Sequence, residues 1–237
     1  MILPGACDLV FLDNPEYNHG QGMKIHMRTK IVRWWSYVQT VVVQIGNDTL
    51  EVMGGTVQES KYWVNGEAGP PMKGAKVLPF KIGGHKVRYR VPADTKFQFK
   101  IFLENNQEIV LRSVKGFMMV ELPKHTRESF GSSRGVLGTY EDGLMMARNG
   151  TTILEDPVQF GMEWQVRHDE PMLFHNVEGV QHPIPCEMPL ITQRRLGEGR
   201  ISHEQAALVC KDATPVDIDD CIYDVMATDD LDLAGAY

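Results

Sequence analysis

The chain holds four cysteines, eight histidines and 31 acidic residues, and their spacing decides which reactions they are able to support. A nucleophilic triad needs a serine or cysteine on a strained turn with a histidine and an acid in reach. Ser129, Ser132 and Ser133 flank Gly131, but the G-x-S-x-G spacing is absent. Glycoside hydrolysis needs two carboxyl groups several ångströms apart. Glu104, Glu108, Glu121 and Glu163 are the candidates, yet they fall at turns or alternate outward, which reads as solvated surface. The histidines form neither H-E-x-x-H nor a tight H-x-H pair, and His19, His125, His175 and His182 sit in loop-like stretches. For calcium, the Gly138–Gly143 turn and Asp217, Asp219 and Asp220 supply oxygens without the spaced D-x-[DN]-x-[DN]-G pattern. No active site, metal or cofactor is predicted.

The cysteines include no C-x-x-C pair. Cys7 and Cys186 lie near the two ends of the β-rich region, and Cys210 and Cys221 bracket a short loop in the tail. An even count permits two bridges, Cys7 to Cys186 and Cys210 to Cys221; the alternative is four buried reduced thiols. Two cationic stripes stand out, Lys24, His26, Arg28 and Lys30 on one strand pattern and Lys86, Arg88 and Arg90 on another. If neighbours, they would form a surface for anionic polysaccharide or an acidic partner. Trp34 and Trp35 are adjacent, so in a strand they point to opposite faces and one is exposed as a possible contact. Asn47-Asp-Thr49 and Asn149-Gly-Thr151 are glycosylation sequons at predicted turns.

The elements that would carry these residues are strands. Met23 to Ile31 alternates strictly, with Ile25, Met27, Thr29 and Ile31 on one face and the cations on the other. Ser36–Ile45 leads through a Gly46-Asn-Asp-Thr turn into Leu50–Met53. His85–Val91 and Phe97–Ile101 alternate again, and Glu108–Val114 and Gly116–Leu122 follow. Short strands separated by Gly, Asn and Pro without intervening helices predict a mainly β chain, an antiparallel two-sheet β-sandwich. After Pro123 the pattern is loop-like, with an amphipathic piece at Pro157–Val166 covering one end of the sheets. From Ser202 the character changes. Ser202 with Gln205 makes a capping box, helices are expected over Val216–Met226 and Asp229–Ala236, and nine acids face one lysine. The expected organisation is a sandwich over 1–186, a linker over 187–201 and a small acidic α-helical appendage over 202–237.

Composition narrows the classes. At 237 residues, 43% hydrophobic and 23% charged, the chain is long enough for a buried core and is neither disordered nor collagen-like. No apolar run approaches the roughly 18 residues of a membrane-crossing helix. A formal charge of -7 argues against nucleic acid as the main partner, since phosphate binding needs clustered cations.

Several phrases in order resemble the von Willebrand factor type D domain. Gly5-Ala-Cys7-Asp-Leu-Val resembles its cysteine-bearing second strand, and Tyr62-Trp-Val-Asn-Gly-Glu67 with Leu78-Pro79 its V-x-V-N-G … L-P hairpin. Arg134-Gly-Val-Leu-Gly-Thr-Tyr-Glu-Asp-Gly143 resembles its C-G-L-C-G-N-x-N-G turn, and Phe160-Gly-Met-Glu-Trp164 with Met172-Leu-Phe174 its closing signature. Arg134 and Leu137 stand where the family has cysteines, and Thr139 and Glu141 where it has calcium-ligating asparagines. The family's opening Gly-Asp-Pro-His strand is missing, from which a truncated start and an absent upstream segment are expected; no secretory signal precedes Cys7. The resemblance implies an extracellular or cell-surface module for protein interaction, adhesion or assembly, with protein or matrix-glycan partners, and calcium only if the altered turn still binds it. The alternatives are a carbohydrate-binding or hydrolysing sandwich using Trp34, Trp35 or Trp63, and an intracellular structural domain.

Overall fold

The computed structural model describes residues 5–32, 35–55, 61–123, 130–140, 142–175, 186, 200–215 and 217–237, and within these not the side chains of Val32, Trp35 and Ala236. The chain divides into two compact units, Met1–Val32 with Ser36–Pro189 and Arg33–Trp35 with Leu190–Tyr237. All but Arg200 and Ile201 of the expected linker over 187–201 lies outside the described residues.

The first unit is mainly β, built from two antiparallel meanders in chain order. The six-stranded sheet runs β1 (Asp8–Asn14), β2 (Met23–Val32), β3 (Trp35–Ile45), β4 (Asp48–Met53), β5 (Lys61–Val64) and β6 (Glu67–Ala68). The five-stranded sheet runs β7 (Ala75–Ile82), β8 (His85–Ala93), β9 (Lys96–Phe102), β10 (Glu108–Val114) and β11 (Phe117–Glu121). Local chemistry sets this pairing. Asn65-Gly66 takes φ of 50° and 83° and Gly83-Gly84 takes 56° and 89°, the left-handed pair that a two-residue hairpin turn requires. Where neighbouring strands are joined by such turns, they find each other at little loop-closure cost.

Alternation then fills the space between the sheets. Ile25, Val41, Val43, Leu50 and Val52 from one sheet meet Val87, Phe97, Phe99, Ile101, Ile109 and Leu111 from the other in a single core. Tyr62, Tyr89 and Phe97 cluster around Phe99 with ring centroids 5.3, 5.7 and 6.1 Å away. β7 escaped the pattern reading because its pairing with β8 is interrupted between Val77 and Lys81. Pro79, which has no N–H to give a ladder, lies in that interruption.

The outer edge of β1 is covered by two later segments. Val10 and Asp13 donate backbone N–H to Trp164 and Arg134 carbonyls at 2.8 and 2.7 Å, and Val166 and Val136 donate back to Asp8 and Val10. Helix α1 (Pro157–Glu163) delivers the first of these segments. Asp156 caps it by accepting from Val158 N–H, Pro157 opens it, and Phe160 is buried beneath it. Cys7, at the entry to β1, is bonded to Cys186 across 179 residues of sequence, with Cα atoms 5.1 Å apart. Both are buried with Leu9.

The second unit is helical. α2 (His203–Val209) begins on the expected capping box of Ser202 and Gln205. α3 (Ile218–Thr228) ends at Asp229 in the left-handed conformation, so the last helical piece is a 3-10 turn over Leu231–Ala236 and not a helix starting at Asp229. Cys210 and Cys221 are bonded, tying α2 to α3.

Candidate functional site: the basic face of the five-stranded sheet

β2 departs from the expectation for its cationic face at His26 and Arg28, which are buried. Its odd face is inward as predicted, with Ile25, Met27 and Thr29 buried. The middle of its even face is covered as well, because residues 165–175 return over the six-stranded sheet. Phe174 lies 4.4 Å from the Arg28 guanidinium, and His175 N–H donates to the fully buried Glu51 carboxylate at 2.7 Å. Arg28 grips Asp8 with two bonds of 2.7 and 2.9 Å and is 8% exposed. It is a buried brace between β1 and β2, and its assignment to an interaction surface is corrected. His26 is likewise buried, while Lys24 is half-buried and Lys30 is exposed. β2 and β8 belong to different sheets, so the two cationic stripes do not join.

What β8 does join is β9. Lys86, Arg88 and Arg90 are exposed on the outer face while Val87 and Tyr89 point into the core. Register places Arg88 opposite Lys100, Arg90 opposite Gln98, and Lys86 between Lys81 and Phe102. β10 continues the rows by setting Arg112 opposite Gln98. Neighbouring strands are about 4.8 Å apart and alternate residues of one strand about 6.8 Å apart, so these cations form a close grid. Two carboxylates enter it: Glu108 takes Lys100 at 2.5 Å, and Glu121 takes Arg112 at 2.6 Å. Among the described residues Lys86, Arg88 and Arg90 have no ion-pair partner. A shallow depression of about 240 Å³ lies over Arg88 and Arg90, lined also by Tyr89, Gln98, Lys100, Phe102 and Glu108.

Sequence reading found Arg88 and Arg90 and missed Lys100, Gln98 and Arg112. The signal was present in the alternation of Phe97–Ile101, which puts Gln98 and Lys100 on one face. What it lacked was the pairing of β8 with β9. No protein-family model matches this chain, and no curated protein does.

The remaining candidates take ordinary places. Ser132 Oγ donates to Asn14 Oδ1 and Ser133 Oγ accepts from Asn14 Nδ2, tying that loop to β1. Ser129, His125, His182 and Trp34 lie outside the described residues, as does the Trp35 side chain. Trp63 is half-buried on β5, opposite the buried Glu51. Glu163 accepts from the Arg148 backbone, and Glu104 is exposed in a turn. In the turn that the resemblance assigns to calcium, the Thr139 hydroxyl donates to Asp142 and accepts from Leu144 N–H, and Glu141 lies outside the described residues. Asn149 is exposed, its Oδ1 accepting from Thr151 and Thr152 N–H. Asn47 is exposed too, although its partner Thr49 is buried against His175.

Proposed function

We propose that this chain is a non-catalytic extracellular or cell-surface recognition module, of the von Willebrand factor type D kind its phrases resemble, working in adhesion or assembly. The observation that carries the reading is covalent: both cysteine pairs are bonded and no cysteine is left free. Structural disulfides persist in oxidising compartments and are rare where thiol reductants are abundant. Cys7–Cys186 joins the strand that enters the sandwich to the segment that leaves it, which suits a module exposed to proteases and mechanical load. Its working surface is the basic sheet face, a flat grid of cations suited to holding a partner by charge.

Counting thiols in unreduced, unfolded protein purified from an oxidising compartment tests this. No reactive thiol before reduction and four after it is the expected result; four free thiols before reduction would return the chain to the class of intracellular structural domains.

A further inference from the structure

We infer that the basic face of the five-stranded sheet binds a linear sulfated polysaccharide, which deepens the recognition reading above by naming its ligand class. The first observation is electrostatic. Like charges directly opposite on paired strands are destabilising, and this sheet sets two such pairs side by side, Lys81 with Lys86 and Arg88 with Lys100. Lys100 is neutralised by Glu108, whereas Lys86, Arg88 and Arg90 in the central row keep their charge exposed. In a chain of net charge -7, this concentration of unmatched cations is a local inversion of sign that an anionic ligand relieves.

The shape and chemistry of the face select the kind of polyanion. Folded-protein interfaces centre on apolar and aromatic anchors and deplete charge at their core, but the centre of this face is Arg88, Arg90 and Gln98. Single-stranded nucleic acid needs stacking rings in series, and of the two aromatic residues that line the depression Tyr89 is buried in the core, which leaves Phe102, 38% exposed at the margin. A sulfated sugar chain fits what is there. Guanidinium forks grip tetrahedral oxyanions with paired hydrogen bonds, the Gln98 amide meets hydroxyls, and Phe102 gives one apolar edge for a sugar ring. Grid spacings of about 4.8 and 6.8 Å let successive charged groups of one flexible chain each find a cation.

The test is calorimetric titration of the full chain with a size-defined heparin oligosaccharide across a salt series, with hyaluronan, polyglutamate and oligodeoxythymidine as comparison ligands. Heparin is expected to bind most tightly. Arg88→Gln with Arg90→Gln is expected to weaken it at least tenfold at 0.1 M salt and to lower the slope of log K against log salt by about 2, one for each released counterion. Arg88→Lys, which keeps the charge, should lose less, and Lys30→Gln on the other sheet should bind as the parent does. Both arginines are exposed on the strand's outer face, and an unchanged melting transition verifies the fold. Undetectable heparin binding, an unaffected double variant, an equal loss in Lys30→Gln, or polyglutamate or DNA binding as tight as heparin would each overturn the assignment. Thiol counting reports separately on the recognition-module reading, so the two fail independently.

Discussion

His26 is 3% exposed beneath the returning segment, and its Nδ1 has no hydrogen-bond partner. Desolvation pushes its pKa down from 6.5 to about 4, reinforced by Lys24 and Arg148 and opposed by Glu170 and Asp8. The ring is therefore neutral in the fold and takes up a proton more readily when unfolded. Its contribution to stability is complete above pH 6.5 and is lost as pH falls toward 4, up to about 3 kcal/mol at roughly 1.4 kcal/mol per pKa unit. Urea midpoints of the parent should drop between pH 7 and 4.5, and His26→Gln should drop less; parallel losses would remove His26 from the account. Beside it, Arg28→Ala strands the Asp8 carboxylate in a dry site, an expected cost of about 3–5 kcal/mol. Adding Asp8→Ala to that variant should cost less than the two single changes summed, because no lone charge then remains; additive losses would mean the pair is not coupled.

Among the elements, β1 has its outer edge closed by distant chain. Leu137 and Val136 donate backbone N–H to Phe11 and Val10 carbonyls, and Gly135 between them and Arg134 takes φ of 142°, where an added Cβ would collide with the Phe11 carbonyl. Gly135→Ala is expected to destabilise by more than about 1 kcal/mol and to speed hydrogen exchange at the Val136 and Leu137 amides first. Uniform exchange across all strands would mean that this contact does not act locally. Arg148 holds the other covering segment. It sits 4.8 Å over Trp164, donates to the Glu163 and Gln165 carbonyls, and pairs with Glu170, whose carboxyl is thereby held below the usual range against the opposing effect of its own burial.

At the scale of the whole molecule, the Cys7–Cys186 bridge closes a loop of 179 residues. Restricting so long a segment in the unfolded chain stabilises the fold by roughly 3–5 kcal/mol. The double substitution Cys7→Ser with Cys186→Ser should lower the urea midpoint accordingly while leaving the m-value, which follows exposed surface, nearly unchanged or raised by a less compact unfolded state. An unshifted midpoint would show that the core alone holds the sandwich together. The bridge between Cys210 and Cys221, separated by 11 residues, closes a far smaller loop and is expected to contribute less.

The sequence by itself determined most of the strands, their inward faces and the mainly β class, β7 excepted, because side-chain direction alternates with every residue and can be read without knowing any partner. It also held the capping box at Ser202, and its even cysteine count admitted the two bridges beside the alternative of four reduced thiols. Tertiary structure alone decided which polar face stays open. Arg28 and Arg88 look alike in alternating strands, yet one is roofed by Phe174, 146 residues further along the chain, and the other remains in solvent beside Lys100. Burial of a polar face depends on what the distant chain lays over it, and pairing depends on which strands become neighbours, so neither is written in the local period of the strand that carries the residue.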